Sequence, residues 1–108
     1  MTATRRAAWT AAIILLLPVA QAWPQEIGQP GRGLASAQHL CSECHAVRKE
    51  QKESPNPDAP RFEALAKTPG MTSIALSAAL TTPHHSMPSI MLDAEERADI
   101  LAYILGLR

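Results

Sequence analysis

The 108-residue chain has few aromatic residues, only two cysteines and no excess of charge. Its rings come from two tryptophans, one tyrosine and one phenylalanine. Ten basic and ten acidic side chains balance, which excludes the basic footprint of a nucleic-acid-binding protein. Two cysteines cannot supply the two ligand pairs of a typical zinc site. If both cysteines have another use, none is left to form a structural disulfide.

The chain also lacks an apolar run long enough to span a bilayer comfortably, which takes about 20 residues. Its apolar run, from Trp9 to Val19, follows the basic pair Arg5 and Arg6 and precedes the small-residue sequence at 20–22. This order is typical of a secretory signal peptide, so we predict that residues 1–22 direct export to the periplasm and are removed. An uncleaved membrane anchor is the alternative; after cleavage we expect no stable membrane insertion.

Removal of residues 1–22 would leave 86 residues with eight basic and ten acidic side chains, a net charge of minus two. A chain of that size has a marginal core, which a buried porphyrin would enlarge. The sequence at 23–31 is rich in proline and glutamine, so we predict a flexible mature N-terminus there and one domain at 32–108.

The most specific motif is the run CSECH at positions 41–45. Cys41 and Cys44 are three residues apart and would lie on one face of a helix, where both thiols can add to the vinyl groups of one haem. His45 follows directly and can reach the iron as an axial ligand, so the pattern is that of c-type haem attachment. A thioredoxin-like redox pair and half of a zinc site are the competing interpretations.

Apolar spacing and capping residues predict about four helices, of which the first presents one face to the haem. We expect the first helix at 32–47, with Gly33 allowing another helix to approach near Tyr103. Further helices are expected at 61–67, at 73–80 after a Thr72 cap, and from a capping box at Asp93 to the C-terminus. In the helix at 73–80 we expect Ile74, Leu76 and Leu80 to face the core. A carbonyl of the proline-rich stretch at 55–60 is the predicted partner of the second ring nitrogen of His45. The sequence does not fix which carbonyl it is, and among them we choose Pro60.

The second axial ligand is predicted in the loop before the last helix. Met87 precedes Pro88, which pushes its backbone into an extended form from which a thioether could reach the iron. Other residues in this half of the chain could compete for the same position. They are Met71 and Met91, for which we expect packing roles, and the loop histidines His84 and His85, for which we expect solvent exposure.

Several motifs in the same order resemble class I c-type cytochromes, and among them the small bacterial periplasmic monohaem proteins. These motifs are the haem motif, PRFEALAKTPGMT at 60–72, TPHHSMP at 82–88 and a terminal helix reading ILAYILGL. The resemblance covers about residues 33–107. It implies an all-α haem fold, thioethers from Cys41 and Cys44, axial ligation by His45 and Met87, and one-electron transfer. Ala37 and Ala46 depart from the family, which often has an aromatic residue and a glycine there.

The expected function is therefore a periplasmic one-electron carrier, not an enzyme, that is monomeric and docks transiently with redox partners. A cytochrome subunit of a larger dehydrogenase or oxidase complex is one alternative. A five-coordinate haem enzyme or gas-binding protein, with Met87 absent from the iron, is another. The third is a protein without haem, in which the two cysteines form a redox pair or bind zinc.

Overall fold

The computed structural model describes residues 27–108 and contains four α-helices in this range. They are α1 (Pro30–Leu40), α2 (Phe62–Lys67), α3 (Ser73–Thr81) and α4 (Ala94–Leu105). No strand occurs in these residues, apart from one isolated bridge between His84 and Met87. The predicted signal peptide lies outside the described residues. Within them, no helix is long and apolar enough to cross a membrane.

Helix α1 ends at Leu40, so the prediction of a helix reaching Val47 was wrong. The Ser42 hydroxyl donates a hydrogen bond to the Gln38 carbonyl over 2.5 Å, in the place where a helical backbone N–H would donate. Serine side chains compete with the helix ladder in this way. The haem motif therefore lies on a turn that follows the helix.

Helices α1 and α4 cross at close range. Gly33 is buried, and a Cβ atom there would overlap the Asp99 carbonyl oxygen and lie 2.8 Å from Tyr103 Cβ. Ala37 on α1 and Ile100 on α4 have no exposed surface. The predicted role of Gly33, close approach of a helix near Tyr103, is confirmed, because only a residue without a side chain fits.

A buried carboxylate ties the start of the domain to α4. Asp99 is 4% exposed, and its Oδ1 accepts a 2.6 Å hydrogen bond from the Gln29 backbone N–H. Arg32 lies 2.8 Å from the other carboxylate oxygen and also pairs with Glu95. The Gln29 N–H and the Arg32 guanidinium together lower the pKa of Asp99, against the opposing effect of burial. The packed domain thus includes residues just before the predicted boundary at Arg32.

The two predicted N-terminal caps are present. Asp93 accepts a 2.8 Å hydrogen bond from the Glu96 N–H, and the Glu96 carboxylate accepts one from the Asp93 N–H, which makes a capping box. Thr72 caps α3 by accepting from the Ala75 N–H at 3.1 Å. Both caps satisfy N–H groups that a helix start leaves without partners.

Two apolar side chains expected in the core lie outside it. Ile74 is 81% exposed and Met91 is 94% exposed. Leu76 of α3 is buried, and Ile74 precedes it by two residues, or about 200° around the helix. Because α3 is apolar on several faces but packs through one, apolar character alone could not identify the buried side chains.

Candidate functional site

An apolar cleft lies between the turn after α1, helices α2 and α3, and the loop that follows α3. It encloses about 1120 Å³, including the space at its open mouth. Cys41, Cys44, His45 and Met87 all line this cleft. Its apolar walls come mainly from Leu40, Pro60, Phe62, Leu65, Leu76 and Ile104. The fold therefore brings together the four side chains that were predicted as one site, although Met87 is more than 40 residues from the others.

The cysteine motif forms one helical turn. The His45 N–H donates to the Cys41 carbonyl at 2.9 Å and the Cys44 N–H donates to the same oxygen at 3.2 Å. Neither thiol is in a disulfide, and burial raises the pKa of the Cys41 thiol to about 11. Reactive redox cysteines have lowered pKa values, so Cys41 lacks the environment of a thioredoxin-like nucleophile.

The His45 ring is fixed from two sides. Its Nδ1 lies 2.7 Å from the Pro60 carbonyl oxygen, which confirms the predicted partner. Because a carbonyl can only accept, Nδ1 carries the proton of the neutral ring, and the lone pair of that tautomer is on Nε2. The Phe62 ring lies 5.4 Å away between centroids, at an angle of 50°. His45 thus has the tautomer and the packing of a metal-binding imidazole.

Hydrogen bonds join the two residues after the motif to the loop at 48–60 and to helices α2 and α4. The Ala46 carbonyl accepts from the Phe62 N–H at 3.0 Å, and the Ala46 N–H donates to the Ser54 hydroxyl at 3.0 Å. The Tyr103 hydroxyl donates to the Val47 carbonyl at 2.6 Å. Sequence reasoning missed Ser54 and the Tyr103 hydroxyl, because neither belongs to a motif that marks its distant partner.

Met87 lies in a tight turn on another wall of the cleft. Its N–H donates to the His84 carbonyl at 3.2 Å, and His85 between them has a positive φ of 48°. Met87 is half-buried, whereas both histidines are exposed, as expected. Met91 does not line this cleft, while Met71 does and also packs against the core.

The residues of the cleft fit a haem better than a bare metal ion. Within residues 27–108, no three His, Cys, Asp or Glu side chains are grouped so that they could hold a metal ion. The donors are instead one oriented imidazole, two thiols and a thioether in apolar surroundings. That combination suits an iron porphyrin held by its edge and by axial ligands.

One known protein resembles the chain over nearly its full length. Cytochrome c-552 of Bradyrhizobium diazoefficiens is 36% identical over 97 residues, which are 89% of this chain and 92% of that protein. This chain belongs to the c-type cytochromes. The cytochrome accordingly carries covalently bound haem c, acts in electron transfer and has the predicted all-α fold. Comparisons with protein-family models and with solved structures find no match.

Proposed function

We propose that this cytochrome is a periplasmic one-electron carrier whose haem is attached through Cys41 and Cys44 and ligated by His45 and Met87. The observation that carries the proposal is the 2.7 Å contact of His45 Nδ1 with the Pro60 carbonyl, in a cleft that Met87 also lines. This contact leaves Nε2 free for iron. When bound, the haem supplies a single site that alternates between ferric and ferrous iron.

The two cysteines and His45 hold one side of the site in a fixed geometry. The thiols lie on a turn closed by two hydrogen bonds to the Cys41 carbonyl, and thioethers formed there would restrict how far the haem can move. The Pro60 carbonyl prevents rotation of the His45 ring and increases its basicity as a ligand. A carrier benefits from this rigidity because its ligands then change little between oxidation states.

Met87 distinguishes a carrier from a haem enzyme or gas-binding protein. A thioether is a soft ligand that raises the reduction potential, and it fills the position that a small molecule would otherwise take. The apolar side chains Leu65 and Leu76 line the same cleft and limit the access of water. We therefore favour a six-coordinate carrier over a five-coordinate enzyme.

The partners of the carrier would be a reduced donor and an oxidised acceptor that dock briefly. A signal peptide at 1–22 would bring the protein to the periplasm, where such partners are found. Ile74 and Met91 are exposed apolar side chains on separate segments, and single residues of this kind need no covering subunit. We therefore propose a monomer. Size-exclusion chromatography of the haem-loaded protein tests it against the subunit of a larger complex.

Visible spectra of protein produced with haem-maturation enzymes test the ligation. We expect a sharp α band after reduction and a weak far-red band in the oxidised form, which reports sulfur on ferric iron. Met87→Ala should abolish the far-red band. Met91→Ala is the matched control and should retain it, because Met91 is 94% exposed and lies outside the cleft.

The opposite result would overturn the ligation. If the far-red band survived in Met87→Ala, or were absent from both the wild type and His84→Ala, Met87 would not be the ligand. Ready binding of carbon monoxide by the reduced wild type at neutral pH would favour the gas-binding alternative.

A further inference from the structure

His84 and Met87 are paired across the turn on the wall of the cleft. The two residues form an antiparallel bridge, with the Met87 N–H donating to the His84 carbonyl at 3.2 Å. Residues directly opposite each other in such a bridge project their side chains from the same face. Both residues also line the cleft. A small rearrangement of this turn would therefore replace one side chain by the other at the same place in the cleft.

The His84 ring has the same second hydrogen bond as the His45 ring. His84 Nδ1 lies 2.8 Å from the Thr82 carbonyl oxygen, and His45 Nδ1 lies 2.7 Å from that of Pro60. Since the carbonyl accepts, the proton of the neutral His84 ring is on Nδ1 and the lone pair is on Nε2. A backbone carbonyl on the other ring nitrogen is the usual support of a metal-ligating histidine.

From these two observations we infer that His84 is a second distal ligand, which binds the haem iron when Met87 leaves it. The inference rests on the proposed ligation by Met87. In the exchange, the bond from Met87 sulfur to iron breaks and a bond from His84 Nε2 forms. No electron is transferred, and no proton has to leave because Nε2 already has a lone pair.

The exchange is expected mainly in the ferric state. A thioether is a soft donor that suits the electron-rich ferrous ion, whereas imidazole binds iron well in either state. The loop favours such a change, because residues 81–86 are all exposed. A histidine in the sixth position would lower the reduction potential. Which loop residue binds the iron would therefore determine the potential of the protein.

His85 is the less suitable neighbour, although it also lines the cleft. It occupies the left-handed position of the turn, at φ 48°, and is not the bridge partner of Met87. Among the hydrogen bonds of the described residues, none holds its ring. Its ring meets that of His84 edge-on at 5.9 Å. His85 therefore serves as a matched control.

The spin state of the ferric haem, measured by electron paramagnetic resonance at neutral pH, tests the inference. Ferric Met87→Ala should lack the far-red band and yet remain low-spin, because His84 fills the vacant position. The double variant Met87→Ala with His84→Ala should lose the low-spin signal and become high-spin. Met87→Ala with His85→Ala should stay low-spin.

A high-spin Met87→Ala variant, or a low-spin signal that persists without His84, would overturn the inference. Far-ultraviolet circular dichroism checks that the variants are helical, and Met87→Leu, which keeps the side-chain volume, replaces Met87→Ala if that variant unfolds. The wild-type spectrum separates the two proposals. A far-red band in the wild type together with a high-spin Met87→Ala variant refutes only the exchange. Absence of the band from both the wild type and His84→Ala, in which the exchange is impossible, refutes Met87 ligation itself.

Discussion

The two walls of the haem cleft are built in different ways. On the histidine side, Ala46 and Val47 are 1% and 2% exposed, and hydrogen bonds to separate segments hold the backbone. On the methionine side, the loop from Thr82 to Met91 is largely exposed. Within this loop, the bridge joins His84 and Met87. Just after it, Arg97 donates a 3.2 Å hydrogen bond to the Leu92 carbonyl.

This difference corresponds to the bonds that each wall would make to the haem. The histidine side would form two covalent bonds and supply one iron ligand, and the methionine side would supply one iron ligand. Covalent attachment and a fixed imidazole require a backbone that does not move, and burial supplies it. A single thioether ligand needs less support. Segments with few buried contacts open at lower free energy than the core, so we expect the methionine loop to open before the rest of the domain.

The largest loss of stability is expected at Gly33, where α1, the helix that leads into the haem motif, crosses α4. Gly33→Ala would place a Cβ against the Asp99 carbonyl, which is backbone and cannot turn aside. Because the overlap is with backbone rather than with a flexible side chain, we expect a loss at or above the upper end of the about 1–3 kcal/mol that overpacking typically costs. Denaturant titration measures it. Gly31→Ala is the control, since nothing lies within 4 Å of a Cβ there, and equal losses in both variants would refute the packing argument.

The next effect is expected at the ring beside His45. Phe62 is 4% exposed, so Phe62→Ala should lower the free energy of unfolding by about 3–5 kcal/mol. Chemical denaturation of the haem-loaded protein measures the loss. Met91→Ala on the methionine side should change stability by less than about 0.5 kcal/mol, because Met91 is 94% exposed. Similar losses in the two variants would remove the contrast between the walls.

A smaller effect is expected from Ser54, whose hydroxyl accepts a hydrogen bond from the N–H of Ala46, directly after the motif. Ser54→Ala would leave the Ala46 N–H buried without its partner, at a cost of about 1–3 kcal/mol. The amide of Ala46 should then exchange faster with deuterium. Ser89→Ala, at an exposed position of the methionine loop, should leave both stability and exchange unchanged. No change in Ala46 exchange would show that Ser54 is not the important partner.

The smallest effect is expected at Asp99 and depends on pH. The pKa of Asp99 in the folded protein is lowered below its unfolded value of about 3.9. The ionised carboxylate therefore contributes fully to the free energy of unfolding above about pH 3.9, and this contribution is lost as the pH falls through the folded pKa. Asp99→Asn should thus be less stable than wild type at neutral pH, with a difference that narrows in acid. Guanidinium midpoints from about pH 6 to about pH 3 test this. A constant difference would exclude ionisation as the cause.

The sequence predicted the parts of the fold that depend on local chemistry. The capping box at Asp93 and the Thr72 cap follow from motifs. A ligating histidine requires an acceptor for its second ring nitrogen, but that the acceptor is Pro60, among several carbonyls of its stretch, is known from the structure. The end of α1 was misplaced because the Ser42 hydroxyl competes with the helix ladder, which apolar spacing does not reveal. The Asp99 network was missed because Arg32 is 67 residues away along the chain.

Peptide mapping of the haem-loaded protein tests the central claim most directly. Trypsin cleaves after Arg32 and Arg48, which releases the peptide 33–48 with both cysteines. We predict that this peptide carries the mass of one haem and that neither Cys41 nor Cys44 reacts with iodoacetamide. An unmodified peptide with two thiols that can be alkylated would contradict the proposed attachment.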